Sequence, residues 1–256
     1  MDTWRFIHSV PQSPSINMGT DYALWQTVKQ GKAPPVLRLY TWNPSSVSLG
    51  YGQKPERVVD VSFCRMNGIP IVMRPTGGSA IFHDLELTYS VVGHKDFHPT
   101  FGNPLESYMT ICRALIRGLE RLGLKSEVRG YSEGKEPSTT DKACFILSSR
   151  HDVVCNGRKI IGSAQKRDDF SFLQHGSILL DIRGALWEKV FSRPVDFSKV
   201  GCLRGMTGRD IGPEELVPLL KNGWEELFGV ALEEGALTEE ESAEAGRLAE
   251  KQFSPL

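Results

Sequence analysis

Residues 151–165 read HDVVCNGRKIIGSAQ. Asn156-Gly157 separates two runs, His151–Val154 and Arg158–Ile161, and Asn-Gly supplies the two positive φ angles of a type I′ turn, so the stretch is a β-hairpin. Further strands read outward from it at Trp4–His8, Val36–Trp42, Ile69–Arg74 and Phe172–Ile182. Helices are expected at Asp21–Gln30, at Pro55–Asn67 with Gly68 as its stop, at Leu105–Leu122 and at Pro213–Phe228. The Leu105–Leu122 pattern is the strongest, because Leu105, Tyr108, Met109, Cys112, Leu115, Ile116, Leu119 and Leu122 recur at spacings of three and four, ahead of Gly123. Thr238-x-x-Glu241 is a capping box that opens a charged C-terminal helix. Hairpins combined with several helices give an α+β (mixed α/β) fold and exclude a Rossmann sheet.

The chain has 256 residues, 30 Lys+Arg against 31 Asp+Glu, and five cysteines. That length buries a substantial core without disulfide or metal staples. Cys64, Cys112, Cys144, Cys155 and Cys202 form an odd set without a C-x-x-C pair, so a zinc ribbon or disulfide framework is not written here. A reducing, cytoplasmic setting fits them, and neither a signal peptide nor an apolar run of ~20 residues for a membrane span is present. Charge is uneven. Residues 232–256 hold seven Glu against Arg247 and Lys251, leaving 28 basic and 24 acidic residues before them. A body at +4 beside a tail at −5 suits an acidic protein or anionic ligand, and is too weakly basic for nucleic acid. We therefore divide the chain into residues 1–230, the main domain, and 231–256, a charged helical tail.

Three segments offer chemistry. Arg74-Pro75-Thr76-Gly77-Gly78-Ser79-Ala80 follows a strand; its glycines let backbone N–H groups approach a ligand and Arg74 offers a fork of donors to an anion, or the segment is a tight turn. His83-Asp84 beyond it are acid–base residues or turn-formers. Cys144 follows the polar run Tyr131–Asp141, a lid or a plain connection, and lies off any apolar stripe. Lys142 and Arg150 are cations near enough in sequence to favour a thiolate, whereas Cys64 and Cys112 read as core. Strand alternation after the hairpin turn places Lys159, Ile161 and Ser163 on one face and Arg158, Ile160 and Gly162 on the other. A lysine pointing inward there requires an anionic partner; one at a hairpin edge is solvated. His175, in Gln174-His175-Gly176-Ser177, is a core or a catalytic histidine. His94 and His98 lack a third ligand, so no metal site is expected.

In this order the segments resemble one superfamily, that of lipoate–protein ligases, biotin–protein ligases and octanoyltransferases. The resemblance is carried by Asn43-Pro44, by Ser48-Leu49-Gly50-Tyr51-Gly52-Gln53, by Arg74-Pro75-Thr76-Gly77-Gly78 with His83-Asp84, by Gly157-Arg158-Lys159 with Gly162-Ser163-Ala164-Gln165, and by Gln174-His175-Gly176-Ser177. Ala143-Cys144-Phe145 ahead of the Gly-Arg-Lys strand is similar to the LipM-type octanoyltransferases, as is the tail. Met73 stands where the family often has an arginine, and Ser79 where glycine or arginine is common.

The resemblance implies a ligase-like catalytic domain of mixed, mostly antiparallel sheets flanked by helices. It implies an octanoyltransferase in lipoate biosynthesis: octanoyl-acyl carrier protein as donor, Cys144 as acyl acceptor, Lys159 as its catalytic companion, and a lysine of a lipoyl-domain or glycine-cleavage H-type protein as final acceptor. Arg74, Thr76, Gly77, Gly78, Ser79, His83, Gly162, Ser163 and His175 are then the substrate-binding residues. No cofactor is implied, with ATP and Mg needed only by the alternative, a lipoate–protein ligase acting through an adenylate; a silent carrier-domain binder is a third reading. We expect a monomer that binds neither nucleic acid nor membrane.

Overall fold

Asn156 and Gly157 take φ of +50° and +73°, and the hairpin closes around them as the dipeptide dictates. A computed structural model describes residues 2–129 and 152–256; Cys144 and the Tyr131–Asp141 run lie outside the described residues. Chain order is β1 (Thr3–His8), α1 (Pro14–Lys29), β2 (Val36–Tyr40), β3 (Ser46–Leu49), α2 (Val61–Met66), β4 (Ile71–Met73), β5 (Ile81–His83), β6 (Glu86–His94), α3 (Pro104–Glu120) and β7 (Ser126–Val128). Then follow β8 (Val153–Cys155), β9 (Arg158–Arg167), β10 (Ser171–Leu179), α4 (Gly184–Val190), α5 (Leu203–Thr207), α6 (Pro213–Phe228), β11 (Ala231–Glu234) and α7 (Glu239–Lys251).

Among the described residues the strands form an eight-stranded sheet, β11-β1-β2-β6-β10-β9-β8-β7, and a three-stranded one, β4-β3-β5. In the large sheet the pairings from β2 to β7 are antiparallel and β1 runs parallel to β2 and to β11; in the small one β3 runs parallel to β4 and antiparallel to β5. One face of the large sheet packs on α3 and α6 through a core that includes Trp4, Tyr89, Leu115, Ile161 and Trp224. Gly118 and Gly223 let those two helices touch backbone to backbone, since a Cβ on Gly223 would lie 2.4 Å from Gly118 N. The other face carries α1 and the small sheet, whose separate core joins β3, β4 and β5 to α2 and α4. The site lies between the two sheets.

Two helices differ from their sequence reading. The one expected from Asp21 starts at Pro14, because Ser13 caps it by accepting the Ile16 N–H and Pro14 fills the first turn. The span expected as one helix from Pro55 splits into a 3₁₀ turn at Pro55–Arg57 and α2, which begins where Asp60 caps the Phe63 N–H at 2.8 Å. The boundary at residue 230 marks a change of charge and not a break in the fold. β11 extends the large sheet, and α7 lies so close to α1 that a Cβ on Gly19 would sit 2.4 Å from Ala245 O. Buried Glu241 accepts from the Thr238 N–H and pairs with Arg5 at 2.6 Å, tying α7 to β1. No helix among the described residues is long and apolar enough to cross a membrane.

Candidate active site

The glycine loop follows β4 and is built around the buried Arg74 guanidinium. Arg74 donates from Nε to Thr76 Oγ1 (3.1 Å), from Nη1 to the carbonyl and hydroxyl of Ser48 (3.1 and 3.3 Å), and from Nη2 to the carbonyls of Gly77 and Ser79 (both 2.7 Å). The fork that the sequence offers to an anion therefore holds its own loop, and burial lowers Arg74 to about 10. Because a trans peptide sets C=O and N–H in opposite directions, turning the Gly77 carbonyl inward turns the Gly78 N–H outward. Gly77 and Gly78 are exposed, and their N–H groups meet no acceptor among the described residues. Two glycines are obligatory: Gly78 has φ +82°, and a Cβ on Gly50 would lie 1.8 Å from Gly78 O.

Two buried histidines brace this loop from beneath. His175, on β10, places Nε2 2.7 Å from Thr76 Oγ1 and Nδ1 3.1 Å from Asp21 Oδ2. Asp21 also accepts from Arg38 and Tyr40, each at 2.8 Å. His83, at the end of β5, contacts Ser48 Oγ at 2.8 Å through Nε2, stacks on Trp42 with ring centroids 3.8 Å apart, and has Nδ1 3.3 Å from Glu86. Burial lowers its pKa despite Glu86, so the imidazole is neutral at neutral pH. Asp84 instead holds Ser45 and Arg183, a structural task. Between the histidines, Met18, Tyr40, Trp42 and Ile81 close a cavity of about 10 Å³, the room of about one water. Two wider clefts among the described residues, of about 650 Å³ between α2 and α4 and about 630 Å³ between α1 and α7, contain none of the expected site residues.

On the hairpin, Lys159 is buried and pairs with Asp152 at 2.7 Å, the anionic partner that an inward lysine needs. Burial lowers the Lys159 pKa and the Asp152 charge opposes that shift. The expected alternation fails here, because a register shift sets Val154 opposite Lys159 but Val153 opposite Ile161. Ile160 and Ile161 consequently enter the same α3-facing core. Ser163 faces that side: its hydroxyl accepts from Tyr89 at 2.6 Å, and its carbonyl accepts from Tyr108 at 3.2 Å. Gly162 lies beneath Gly176, where an added Cβ would fall 2.5 Å from Gly162 O.

Cys64, Cys112, Cys155 and Cys202 are all buried and free. Burial raises Cys64 to about 11 and pushes Cys112 up as well. His94 stacks near Phe170 and His98 caps a 3₁₀ turn, and no metal-holding cluster occurs among the described residues. Sequence reading named Arg74, Thr76, His83, Lys159 and His175. It missed Glu86, three positions from His83, and Asp21 and Asp152, which only the fold brings to their partners, and it gave no task to Ser48 or Gly50 of the quoted Ser48–Gln53 motif.

The family model described as the lipoyl protein ligase A/B catalytic domain matches residues 13–225. The chain belongs to this family. Within it, the chain is 37% identical over 264 residues to the octanoyltransferase LipM of Kyrpidia tusciae, covering 98% of this chain and 96% of that protein. It is 35% identical over 259 residues to the octanoyltransferase LipM of Moorella thermoacetica, covering 97% and 94%. A crystal structure of lipoate-protein ligase A bound with ATP superposes with a TM-score of 0.82 at 25% identity, covering 98% of this chain and 95% of that one. The mixed α/β fold with flanked mixed sheets is the family's fold, as the sequence resemblance implies.

Proposed function

We propose that the chain is a LipM-type octanoyltransferase that moves an octanoyl group onto a lysine of a lipoyl-type carrier domain, with Cys144 carrying the chain between donor and acceptor. The observation that carries this reading is the end-to-end similarity to octanoyltransferases of that type. The donor is an octanoyl thioester of an acyl carrier protein. Cys144 thiolate attacks its carbonyl carbon, the bond to the carrier's sulfur breaks, and the carrier leaves as a thiol after taking a proton. The acceptor's lysine amine then attacks the Cys144 thioester, an amide forms, and the thiol is restored. Thioester exchange is nearly balanced and amide formation from a thioester runs downhill, so the reaction needs no ATP.

The described geometry supports both steps. Outward N–H groups of the Thr76–Ser79 backbone suit the oxyanion that forms at the carbonyl, a contribution of roughly 3–4 kcal/mol per well-placed donor. Lys159, held by Asp152, supplies positive charge that favours a thiolate. The four described cysteines are buried, which supports the choice of Cys144 as the nucleophile. A body at +4 favours acidic carrier partners. The cavity of about 10 Å³ has to open for the acyl chain, and unbranched Met18 is the lining residue best able to move.

The test is transfer itself. Incubated with octanoyl-acyl carrier protein and a lipoyl domain, without nucleotide, the protein adds one octanoyl group to the domain. Transfer that requires ATP and starts from free octanoate or lipoate would overturn the reading in favour of a ligase. Carrier binding with neither activity would make the protein a silent binder.

A further inference from the structure

The hydrogen bonds beneath the glycine loop have a direction that a single carboxylate fixes. Asp21 is fully buried on α1, with Arg38 at 2.8 Å on Oδ1, and with the Tyr40 hydroxyl at 2.8 Å and His175 Nδ1 at 3.1 Å on Oδ2. Burial pushes its pKa up, but the His175 hydrogen bond and the Arg38 charge hold it below the ordinary carboxylate range. An ionised carboxylate only accepts, so His175 must carry its proton on Nδ1. In a neutral ring that tautomer leaves Nε2 bare, and a bare Nε2 accepts. The Thr76 hydroxyl, 2.7 Å away, is therefore the donor to it. Thr76 Oγ1 then has its lone pairs turned to Arg74 Nε at 3.1 Å, and Arg74 Nη2 pulls in the carbonyls of Gly77 and Ser79.

We propose that Asp21 is a positioning residue of the octanoyltransferase site: through His175, Thr76 and Arg74 it locks the glycine loop with carbonyls inward and N–H groups outward, toward the reacting thioester. The proposal rests on the octanoyl-transfer reading for its purpose, and on the hydrogen-bond geometry alone for its direction. If Asp21 could not accept from Nδ1, the imidazole would be free to place its proton on Nε2. The Thr76 hydroxyl would then turn to accept from Nε2, its oxygen shared between that donor and Arg74 Nε, which loosens the contact that ties Thr76 to the guanidinium. Asp21 touches no substrate. It acts from α1, on the sheet face that also carries the loop, although Asp21 and Thr76 are more than 50 positions apart in sequence.

Two measurements test this. In the ¹⁵N spectrum of the histidine-labelled protein, assigned with His175→Gln, His175 shows a protonated Nδ1 and a bare, hydrogen-bonded Nε2; Thr76→Ser keeps that signature and Thr76→Val shifts Nε2. A proton on Nε2 in the unmodified protein would overturn the proposal, whether or not the protein transfers octanoate. In single-turnover acylation by saturating octanoyl-acyl carrier protein, Asp21→Asn slows Cys144 acylation about 10²-fold, the scale of a ~1 Å misplacement. Alkylation of Cys144 by iodoacetamide, which forms no oxyanion, stays within about twofold in the same variant. Thr76→Val, which leaves the Asp21–Arg38 pair intact, repeats the result if Asp21→Asn fails to fold, and Thr76→Ser restores the rate. Equal loss in both reactions, or loss in neither, would overturn it. Failure of the unmodified protein to form an acyl adduct would count against the transfer reading, while the imidazole spectrum still decides the relay.

Discussion

Gly50→Ala places one methyl group where the site has no room for it. The added Cβ would lie 1.8 Å from Gly78 O, 2.7 Å from Gly78 C and 3.1 Å from Gly77 C. Gly50 is not among the positive-φ residues, so its backbone accepts alanine and the whole effect falls on the contact. Even a tight contact needs about 3 Å, so the Gly77–Gly78 segment has to retreat by more than about 1 Å. Both glycines are exposed, which lets the loop move outward and limits the loss of stability to about 1–2 kcal/mol, within the range for overpacking. The same displacement takes the Gly77 and Gly78 N–H groups out of the positions suited to the oxyanion, which lowers the acylation rate about 10²-fold. The assay pairs single-turnover acylation with a denaturant melt. Gly118→Ala is the control: its Cβ would lie 2.8 Å from Leu220 Cα at the α3–α6 crossing, so stability falls while the rate per folded molecule holds. A Gly50→Ala protein that acylates at the unmodified rate would refute the placement of the oxyanion donors in this loop.

Asp152→Asn removes the carboxylate charge 2.7 Å from the buried Lys159 ammonium, a loss of about 3 kcal/mol in a denaturant melt. Lys159 already titrates below its ordinary value, and losing the opposing charge lowers it further. The alkaline limb of acylation therefore moves to lower pH, and an unmoved limb would show that the Lys159 charge is not used. Asp168 is held at about 2 by Lys29 and by the N–H groups of Phe170 and Ser171, against the upward push of burial. A carboxylate with a depressed folded pKa stabilises above its unfolded value of about 4 and loses that contribution as pH falls toward 2. Asp168→Asn accordingly flattens the stability–pH curve between about 4 and 2, and a curve of unchanged slope would contradict the assignment. Glu241→Ala removes both the capping-box acceptor and the Arg5 partner, so the protein loses about 3 kcal/mol and residues 239–251 gain amide exchange.

The hairpin and α3 are legible in the sequence because each is decided locally, by the φ angles of Asn156-Gly157 and by an apolar stripe at helical spacing. The first half of α1 is not, since it buries the polar residues Asn17, Thr20 and Asp21 and so lacks an apolar stripe. β3 and β5, at four and three residues, are buried throughout and present no alternation to read. The split of the second expected helix turns on Asp60 serving as a cap inside a run that otherwise looks continuous. At the site, Arg74, Lys159 and His175 are visible as residue types in family-like segments. Their partners are not, because they are set by tertiary contact: Asp21 lies 154 positions from His175. Arg74 shows the limit from the other side, for its sequence context suggests an anion while the fold spends its donors on Ser48, Thr76, Gly77 and Ser79.

The most direct test of the transferase mechanism is the intact mass of the protein after brief exposure to octanoyl-acyl carrier protein without ATP, followed by peptide mapping. The expected result is a gain of one octanoyl group, located on Cys144 and discharged when a lipoyl domain is added. A protein that gains no acyl group, or whose Cys144→Ala variant still modifies the lipoyl domain at the unmodified rate, would contradict it.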